Sequence, residues 1–135
     1  MTERTLAHAV LRAGQWTGAR DHLRLSYEQR FLRRRRLVTD HGAELLVDLP
    51  ETVSLNHGDA LDTALGPVEI IAAPEPVLVV QGDLPRLAWH IGNRHTPCQI
   101  GPDHLVIRDD HVLEAMLRQL GAKIVATQAP FTPEG

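Results

Sequence analysis

The apolar and polar positions of the chain follow two different patterns, one after the other. In the first, Leu23, Leu25 and Tyr27 alternate with polar residues, and turn-forming pairs such as Gly66-Pro67 then recur at short intervals. Such alternation, broken by frequent turn residues, is typical of short strands that bury one face. We therefore predict a small all-β N-terminal domain over residues 1–73.

The second pattern starts at Pro74-Glu75-Pro76 and mixes short apolar runs with amphipathic segments. Asp109 or Asp110 suits the N-cap of the second amphipathic segment, and Gly121 suits its C-cap. The predicted elements are a strand at 77–80, a helix at about 84–95, strands at 98–100 and 104–107, a helix at about 110–120 and a strand at 123–126. This β-α-β-β-α-β order predicts a ferredoxin-like C-terminal domain over residues 74–135, so the fold class is β followed by α+β.

The first predicted helix has an apolar stripe that includes Leu87, Ala88 and Ile91. Pro97 disfavours helical geometry at the preceding residue, so we expect this helix to end close to His95. At about 100° per residue, His95 would lie within about 40° of the stripe. The pattern therefore predicts a histidine that faces a packed neighbour.

His95 has two interpretations at this position. It is either a capping histidine favoured by the helix dipole or a metal ligand. Because one imidazole cannot hold a divalent ion tightly alone, a ligand role would require a second chain. A two-fold axis beside the helix would bring two copies of His95 together.

Composition and charge narrow the classes of function. The formal charge of −3 and a pI near 6.2 give no general attraction to nucleic acid or to a membrane. The lone Cys98 excludes an internal disulfide, and no apolar run has the ~18 residues of a membrane span. Since the first residues also lack the apolar core of a secretory signal, we expect a cytoplasmic protein.

The run Arg33-Arg34-Arg35-Arg36 stands out in the first pattern. It is either a solvated edge that resists aggregation or a patch that docks an acidic partner or nucleic acid. With 4% aromatic residues, the chain has little with which to stack single-stranded bases.

The string His90-Ile91-Gly92-Asn93-Arg94-His95-Thr96-Pro97 resembles the signature of the urease accessory protein E (UreE) family, whose members are nickel metallochaperones. The resemblance continues, in order, through most of the chain. Further matching strings are Asp40-His41-Gly42, Gly58-Asp59, Ala72-Ala73-Pro74-Glu75, Asp110-His111-Val112-Leu113 and Pro130-Phe131-Thr132-Pro133-Glu134. Many matches in order are more specific than any single motif.

The resemblance implies a protein that binds and delivers nickel for urease metallocentre assembly and is not an enzyme. It implies a homodimer that shares a nickel site through His95, with zinc or copper as possible ions in vitro. The implied partners are the urease accessory GTPase and the urease apoprotein maturation complex. The N-terminal domain would bind a partner or peptide, and the C-terminal domain would bind the metal.

Other residues are weaker candidates for metal ligands. His111 matches one position of a histidine pair that forms a secondary site in some members, and Asp109 stands at the other position. Cys98 follows His95 closely enough for a nitrogen and thiolate pair, but free cysteines are commonly buried. The sequence stops at Gly135 without the histidine-rich tail of many members, either because the natural protein lacks the tail or because this chain is a shortened form; in both cases we expect a small metal capacity.

Two other functions remain open at this point. A small metal-dependent hydrolase would use His95, His111 and Asp109 as ligands, but no defined three-ligand motif or general base is evident. An RNA-binding module would use the ferredoxin-like sheet, yet the predicted strands at 77–80 and 123–126 lack aromatic residues.

Overall fold

The computed structural model describes residues 4–134 and, of Arg4, the backbone only. It divides into two compact units, Met1–Ala73 and Pro74–Gly135, which have separate sheets and separate cores. Neither of the two described helices has the length and apolar character needed to cross a membrane.

The first unit is a six-stranded sheet with the order β2-β6-β5-β1-β4-β3. Apart from one short 3₁₀ turn, Glu28–Arg30, its regular elements are strands, so the predicted all-β class is confirmed. They are β1 (Arg4–Leu11), β2 (Asp21–Leu25), β3 (Phe31–Val38), β4 (Glu44–Ser54), β5 (Ala60–Thr63) and β6 (Val68–Ala72).

Strand β1 is central in this sheet, although the sequence pattern did not predict it. It pairs in parallel with β4 and antiparallel with β5. Of its described side chains only Ala7 is fully buried, and Leu6 is exposed. A strand with so few buried apolar positions has almost no alternation to detect, which explains why it was missed.

Two buried carboxylates fix the loops of the first unit. Asp59 accepts hydrogen bonds from the Arg12 guanidinium and from the backbone N–H groups of Ala13 and Asn56, at 2.8 to 2.9 Å. Asp21 accepts from the Thr39 hydroxyl and from the backbone N–H of His22. These donors compensate the cost of burying each charge.

Replacing Asp21 by asparagine is expected to destabilise the protein by about 2 kcal/mol near neutral pH, because charge-assisted hydrogen bonds are lost. Burial alone would raise the pKa of Asp21, but hydrogen bonds from Thr39, His22 and His41 hold it below the ordinary carboxyl value. A depressed pKa gives stability that is present above the unfolded value of about 3.9 and is lost as the pH falls through the folded value.

Urea unfolding of wild type and Asp21→Asn from about pH 7 to pH 3 measures this effect. The difference in free energy of unfolding should shrink below about pH 4. A difference that stays constant over this range would contradict the assignment.

The second unit contains β7 (Pro74–Gln81), α1 (Leu84–Asn93), β8 (Gln99–Ile100), β9 (Leu105–Arg108), α2 (His111–Gln119) and β10 (Lys123–Pro130). Its four-stranded sheet has the order β10-β7-β9-β8, with antiparallel neighbours. The element order and the sheet order are those of a ferredoxin-like domain, as predicted. Both helices bury an apolar stripe in the core, through Leu87 and Ile91 in α1 and through Leu113 and Leu117 in α2.

The predicted helix at about 84–95 was too long at its C-terminal end. Helix α1 ends at Asn93, so His95 lies outside it. The position of His95 on an extended helical wheel therefore does not apply, and its predicted packing beside Ala88 and Ile91 is wrong. Pro97 restricts Thr96, as expected, but the backbone leaves the helix earlier because His95 adopts a left-handed conformation.

Candidate metal-binding site

Helix α1 ends in a closing turn centred on His95. The backbone N–H of His95 donates to the carbonyl of Gly92 at 2.9 Å, and that of Thr96 donates to the carbonyl of Ile91 at 3.4 Å. This pair of bonds is the Schellman motif, which places its C′ residue in the left-handed region. His95 occupies that C′ position with φ of 56°.

Helix α2 ends in the same motif and provides an internal comparison. The N–H of Gly121 donates to the carbonyl of Arg118, and that of Ala122 donates to the carbonyl of Leu117, both at 3.0 Å. Here the C′ residue is Gly121, with φ of 88°. Glycine adopts this conformation without a steric cost, whereas a residue with a Cβ pays roughly 1 kcal/mol or more.

His95 is the one residue other than glycine with positive φ among residues 4–134. Its imidazole is exposed, so neither burial nor core packing explains why this residue stands where α2 has glycine. Backbone strain that the fold does not need is an indication of function. The structure thus singles out the histidine that the sequence motif also singled out.

A concave surface adjoins His95 within the second unit. It is lined by His95, Thr96, Pro97, Arg108, Asp109 and Asp110. The surface therefore combines an imidazole with two carboxylates and one guanidinium, and nitrogen with oxygen is a ligand set suited to borderline divalent ions. The carboxylate of Asp110 is already engaged, because it accepts from the N–H groups of Val112 and Leu113 at 3.0 Å and caps α2.

His111 is the first residue of α2 and is exposed. It does not line the concave surface that adjoins His95, whereas Asp109 does. The structure therefore brings His95 and Asp109 to one surface. His111 follows Asp109 closely in sequence but does not belong to this surface. The backbone of Asp109 is fixed by a hydrogen bond from its N–H to the carbonyl of Pro76 at 3.2 Å.

Cys98 has the features of a core residue rather than a ligand. It is half-buried and packs against the core of the second unit. Burial raises the pKa of its thiol, and the negative charge of Glu134 raises it further. Since a metal binds the thiolate form, a raised pKa disfavours Cys98 as a partner for His95.

No group of three or more His, Cys, Asp or Glu side chains within residues 4–134 is arranged to hold a metal ion. Tight sites in proteins need about four ligands, or three with water. A site built on His95 is therefore incomplete within this part of one chain.

The outward face of α1 carries an unusual pair of residues next to His95. Trp89 is 63% exposed, and its ring stands edge-on to that of His90, with centroids 5.0 Å apart. Gly92 lies about one turn later on the same face. A Cβ added to Gly92 would meet no atom within 4 Å. Nothing within the described chain therefore requires a glycine there, although glycine costs a helix up to about 1 kcal/mol relative to alanine.

Sequence reasoning identified His95 but not its geometry or the adjoining surface. A histidine before a Thr-Pro pair gives no local signal for a left-handed residue, since glycine or asparagine is the usual sign of this motif. The nearness of Asp109 to His95 depends on the sheet order, which brings the chain segment after β9 to the segment after α1.

Comparisons with known proteins cover both units. Residues 1–73 match the family model described as "UreE urease accessory protein, N-terminal domain", and residues 75–135 match "UreE urease accessory protein, C-terminal domain". The chain is 61% identical over 129 residues to a urease accessory protein UreE of Rhodobacter capsulatus, covering 95% of this chain and 83% of the relative. Proteins of the same name from Cereibacter sphaeroides and Ruegeria pomeroyi are 56% and 54% identical, covering 100% and 93% of this chain and 75% and 86% of those relatives.

Proposed function

The chain belongs to the UreE family of urease accessory proteins, and on that premise we propose that it is a nickel metallochaperone whose main metal site is shared across a homodimer by His95. The chemistry is coordination and transfer of an ion, so the nickel is cargo and no bond is made or broken in a substrate. Membership of this family favours neither the hydrolase nor the RNA-binding alternative.

The observation that carries the proposal is the left-handed, exposed imidazole of His95. Its backbone is fixed by the closing turn, so the side chain projects from a rigid point rather than from a mobile loop. A ligand held on a rigid element loses little entropy when it binds an ion. The cost of a histidine at this position is then offset by its role as a ligand.

A second chain would complete the coordination shell. One imidazole per protomer, brought together at a two-fold axis, gives two nitrogen ligands from one kind of residue. Trp89 and Gly92 support this arrangement, since an exposed indole offers apolar area and a glycine allows a close approach of backbones. Both residues lie on the exposed face of α1, close in sequence to the closing turn at His95.

Nickel accepts imidazole together with oxygen or water ligands. A shell with two imidazoles and exchangeable positions would bind the ion and still allow a partner to take it. Zinc and copper would also bind such a site in vitro. The remaining ligands would come from water or from Asp109, which lines the same concave surface as His95.

His111 is proposed as part of a second, weaker site. Its exposed imidazole follows Asp109 and Asp110 in sequence. Because the carboxylate of Asp110 caps α2, the proposed oxygen ligand is the carboxylate of Asp109. One nitrogen and one oxygen ligand without a two-fold partner would hold nickel less tightly than two imidazoles. For delivery, the family role implies transfer to the urease accessory GTPase and the apoprotein maturation complex in the cytoplasm.

Titration of the wild-type protein with nickel is expected to give one tight ion per two chains. Because a histidine must be neutral to bind a metal, a site with two imidazoles shows a steeper fall of affinity with decreasing pH than a site with one. The limiting slope is about two protons per ion for the shared site and about one for an unshared site. Calorimetry over a series of pH values, with the mass measured by sedimentation in parallel, reports both quantities.

One ion per chain with a monomer mass would contradict the shared site while leaving a nickel-binding function intact. A protein that binds nickel no more tightly than free imidazole does would contradict the proposed function as a whole.

A further inference from the structure

Strand β3 carries four consecutive arginines along a free edge of the sheet in the first unit. It pairs with β4 on one side and ends the sheet on the other. The side chains of Arg33, Arg34, Arg35 and Arg36 are all exposed. None of them forms an ion pair with a described carboxylate, and the one hydrogen bond among them runs from Arg35 to the Gln29 carbonyl at 3.3 Å.

The register defines where these charges lie. The pairing with β4 is irregular between Leu32 and Arg34, so Arg33 has no register partner. The pairing is regular from Arg34, which is opposite Asp48 of β4, and the guanidinium groups of residues 34–36 alternate between the two faces of the strand. In an antiparallel ladder, alternate residues also direct their N–H and C=O groups away from the paired strand. Between residues 34 and 38 these outward groups have no backbone partner among the described residues.

A purely protective role does not account for the composition of this edge. Charged side chains on an edge strand prevent unwanted pairing, so protection alone would explain the arginines. However, the strand that carries the charged run begins and ends with exposed apolar side chains, Phe31 at 62% and Val38 at 64% exposure. A protective edge would avoid such residues, since exposed apolar side chains on an edge promote association.

We propose that the free edge of β3 binds an extended, acidic segment of a partner protein by strand addition. Backbone hydrogen bonds to β3 would supply affinity, and alternate side chains would supply selectivity. Carboxylates of the segment would face the arginines, and its apolar ends would contact Phe31 and Val38. The chain as a whole has a charge of −3, so this edge is a local reversal of sign that attracts acidic chains selectively.

The same features disfavour the other occupants. A second copy of β3 would set arginine against arginine, which opposes self-pairing. A nucleic acid would satisfy the guanidinium groups, but its backbone has no N–H donors with which to extend a β-ladder. The edge therefore fits a peptide better than either alternative.

The test uses the full chain and a fluorescein-labelled peptide of about twelve residues with alternating glutamate and threonine, a length that matches a long strand. Fluorescence anisotropy should show binding that weakens at least about tenfold in Arg34→Glu/Arg36→Glu. The conservative Arg34→Lys/Arg36→Lys should stay within about threefold of wild type, because it keeps the charge. A proline-substituted peptide is compared on the wild-type protein, so the test of strand addition does not depend on the folding of the charge-reversed variant.

A matched control changes the net charge equally at another place. Arg86→Glu/Lys123→Glu alters two exposed cations of the second unit and should leave peptide affinity nearly unchanged. A peptide in which three threonines are replaced by proline keeps every carboxylate but cannot form a continuous ladder, so it should bind at least about tenfold more weakly.

Equal binding of the proline peptide would overturn strand addition, and unchanged binding by the charge-reversed variant would overturn the role of β3. If an oligomer of about twelve thymidines binds more tightly than the peptide, the edge is a nucleic-acid site and the proposal is wrong. The Arg34→Glu/Arg36→Glu variant should bind nickel as wild type does, because His95 belongs to the other unit.

Discussion

Replacing His95 by glycine is expected to abolish tight nickel binding and, at the same time, to raise the stability of the protein. Glycine adopts φ of 56° without strain, so the free energy of unfolding should rise by about 1 kcal/mol. The variant lacks the imidazole, however, and its nickel affinity should fall by more than the roughly hundredfold that follows loss of a residue supporting a ligand. Opposite changes in binding and stability are the signature of a ligand held in a strained backbone.

Two companion variants separate the backbone effect from the ligand effect. His95→Ala should lose nickel as His95→Gly does but without the gain in stability, since alanine keeps the Cβ. His111→Ala should retain the tight ion, because it removes only the proposed weaker site. Calorimetric nickel titration and urea unfolding of the three variants, with the mass checked by sedimentation, provide the comparison. Should His95→Gly bind nickel like wild type, His95 is only a helix-end residue.

The second large effect is expected at the outward face of α1. Trp89→Glu should convert the proposed dimer into a monomer, because a buried, unpaired carboxylate replaces apolar area at the interface. Nickel affinity should then fall towards that of a single imidazole, although His95 itself is unchanged. Sedimentation equilibrium and nickel titration of the same preparation measure the two losses together.

Val125→Glu is the matched control for this variant. Val125 lies in β10 of the same unit and is 62% exposed, against 63% for Trp89. It should leave both the mass and the nickel affinity unchanged. A dimeric Trp89→Glu protein, or a Val125→Glu protein that dissociates, would show that α1 is not the interface.

Gly92→Ala distinguishes close approach from apolar area. Within one chain an added Cβ meets no atom, so the helix should gain up to about 1 kcal/mol of stability. At an interface the same methyl group would separate two backbones and weaken the dimer. The expected result is thus a more stable monomer unit with a higher dissociation constant.

Much of the fold could be predicted from the sequence because its patterns are local. The caps of α2 at Asp110 and near Gly121, and the apolar stripes of both helices, are properties of short segments. The element order of the second unit then limits the sheet to a familiar topology. In contrast, β1 was missed because it has few buried apolar positions, and its place in the centre of the sheet depends on partners far along the chain.

The sequence nominated a candidate ligand but did not give its geometry. The motif around His95 pointed to this residue, whereas the helical wheel gave it the wrong surroundings. The closing turn is formed by backbone hydrogen bonds to the carbonyls of Gly92 and Ile91. Its free energy differs little from that of one further helical turn, and side-chain periodicity does not report this difference. The adjoining carboxylate of Asp109 depends on tertiary contacts between segments about fourteen residues apart in the chain.

The equivalent turns at His95 and Gly121 have a consequence for protein engineering. Each turn is closed by the backbone alone, so the side chain at its centre can be exchanged without redesigning the helix or the strand that follows. Asparagine and aspartate tolerate the left-handed region, which makes a change from a nitrogen to an oxygen ligand at position 95 accessible by one substitution. Position 121 also has room for an added Cβ, but its φ of 88° means that a ligand grafted there would carry the same kind of backbone strain as His95.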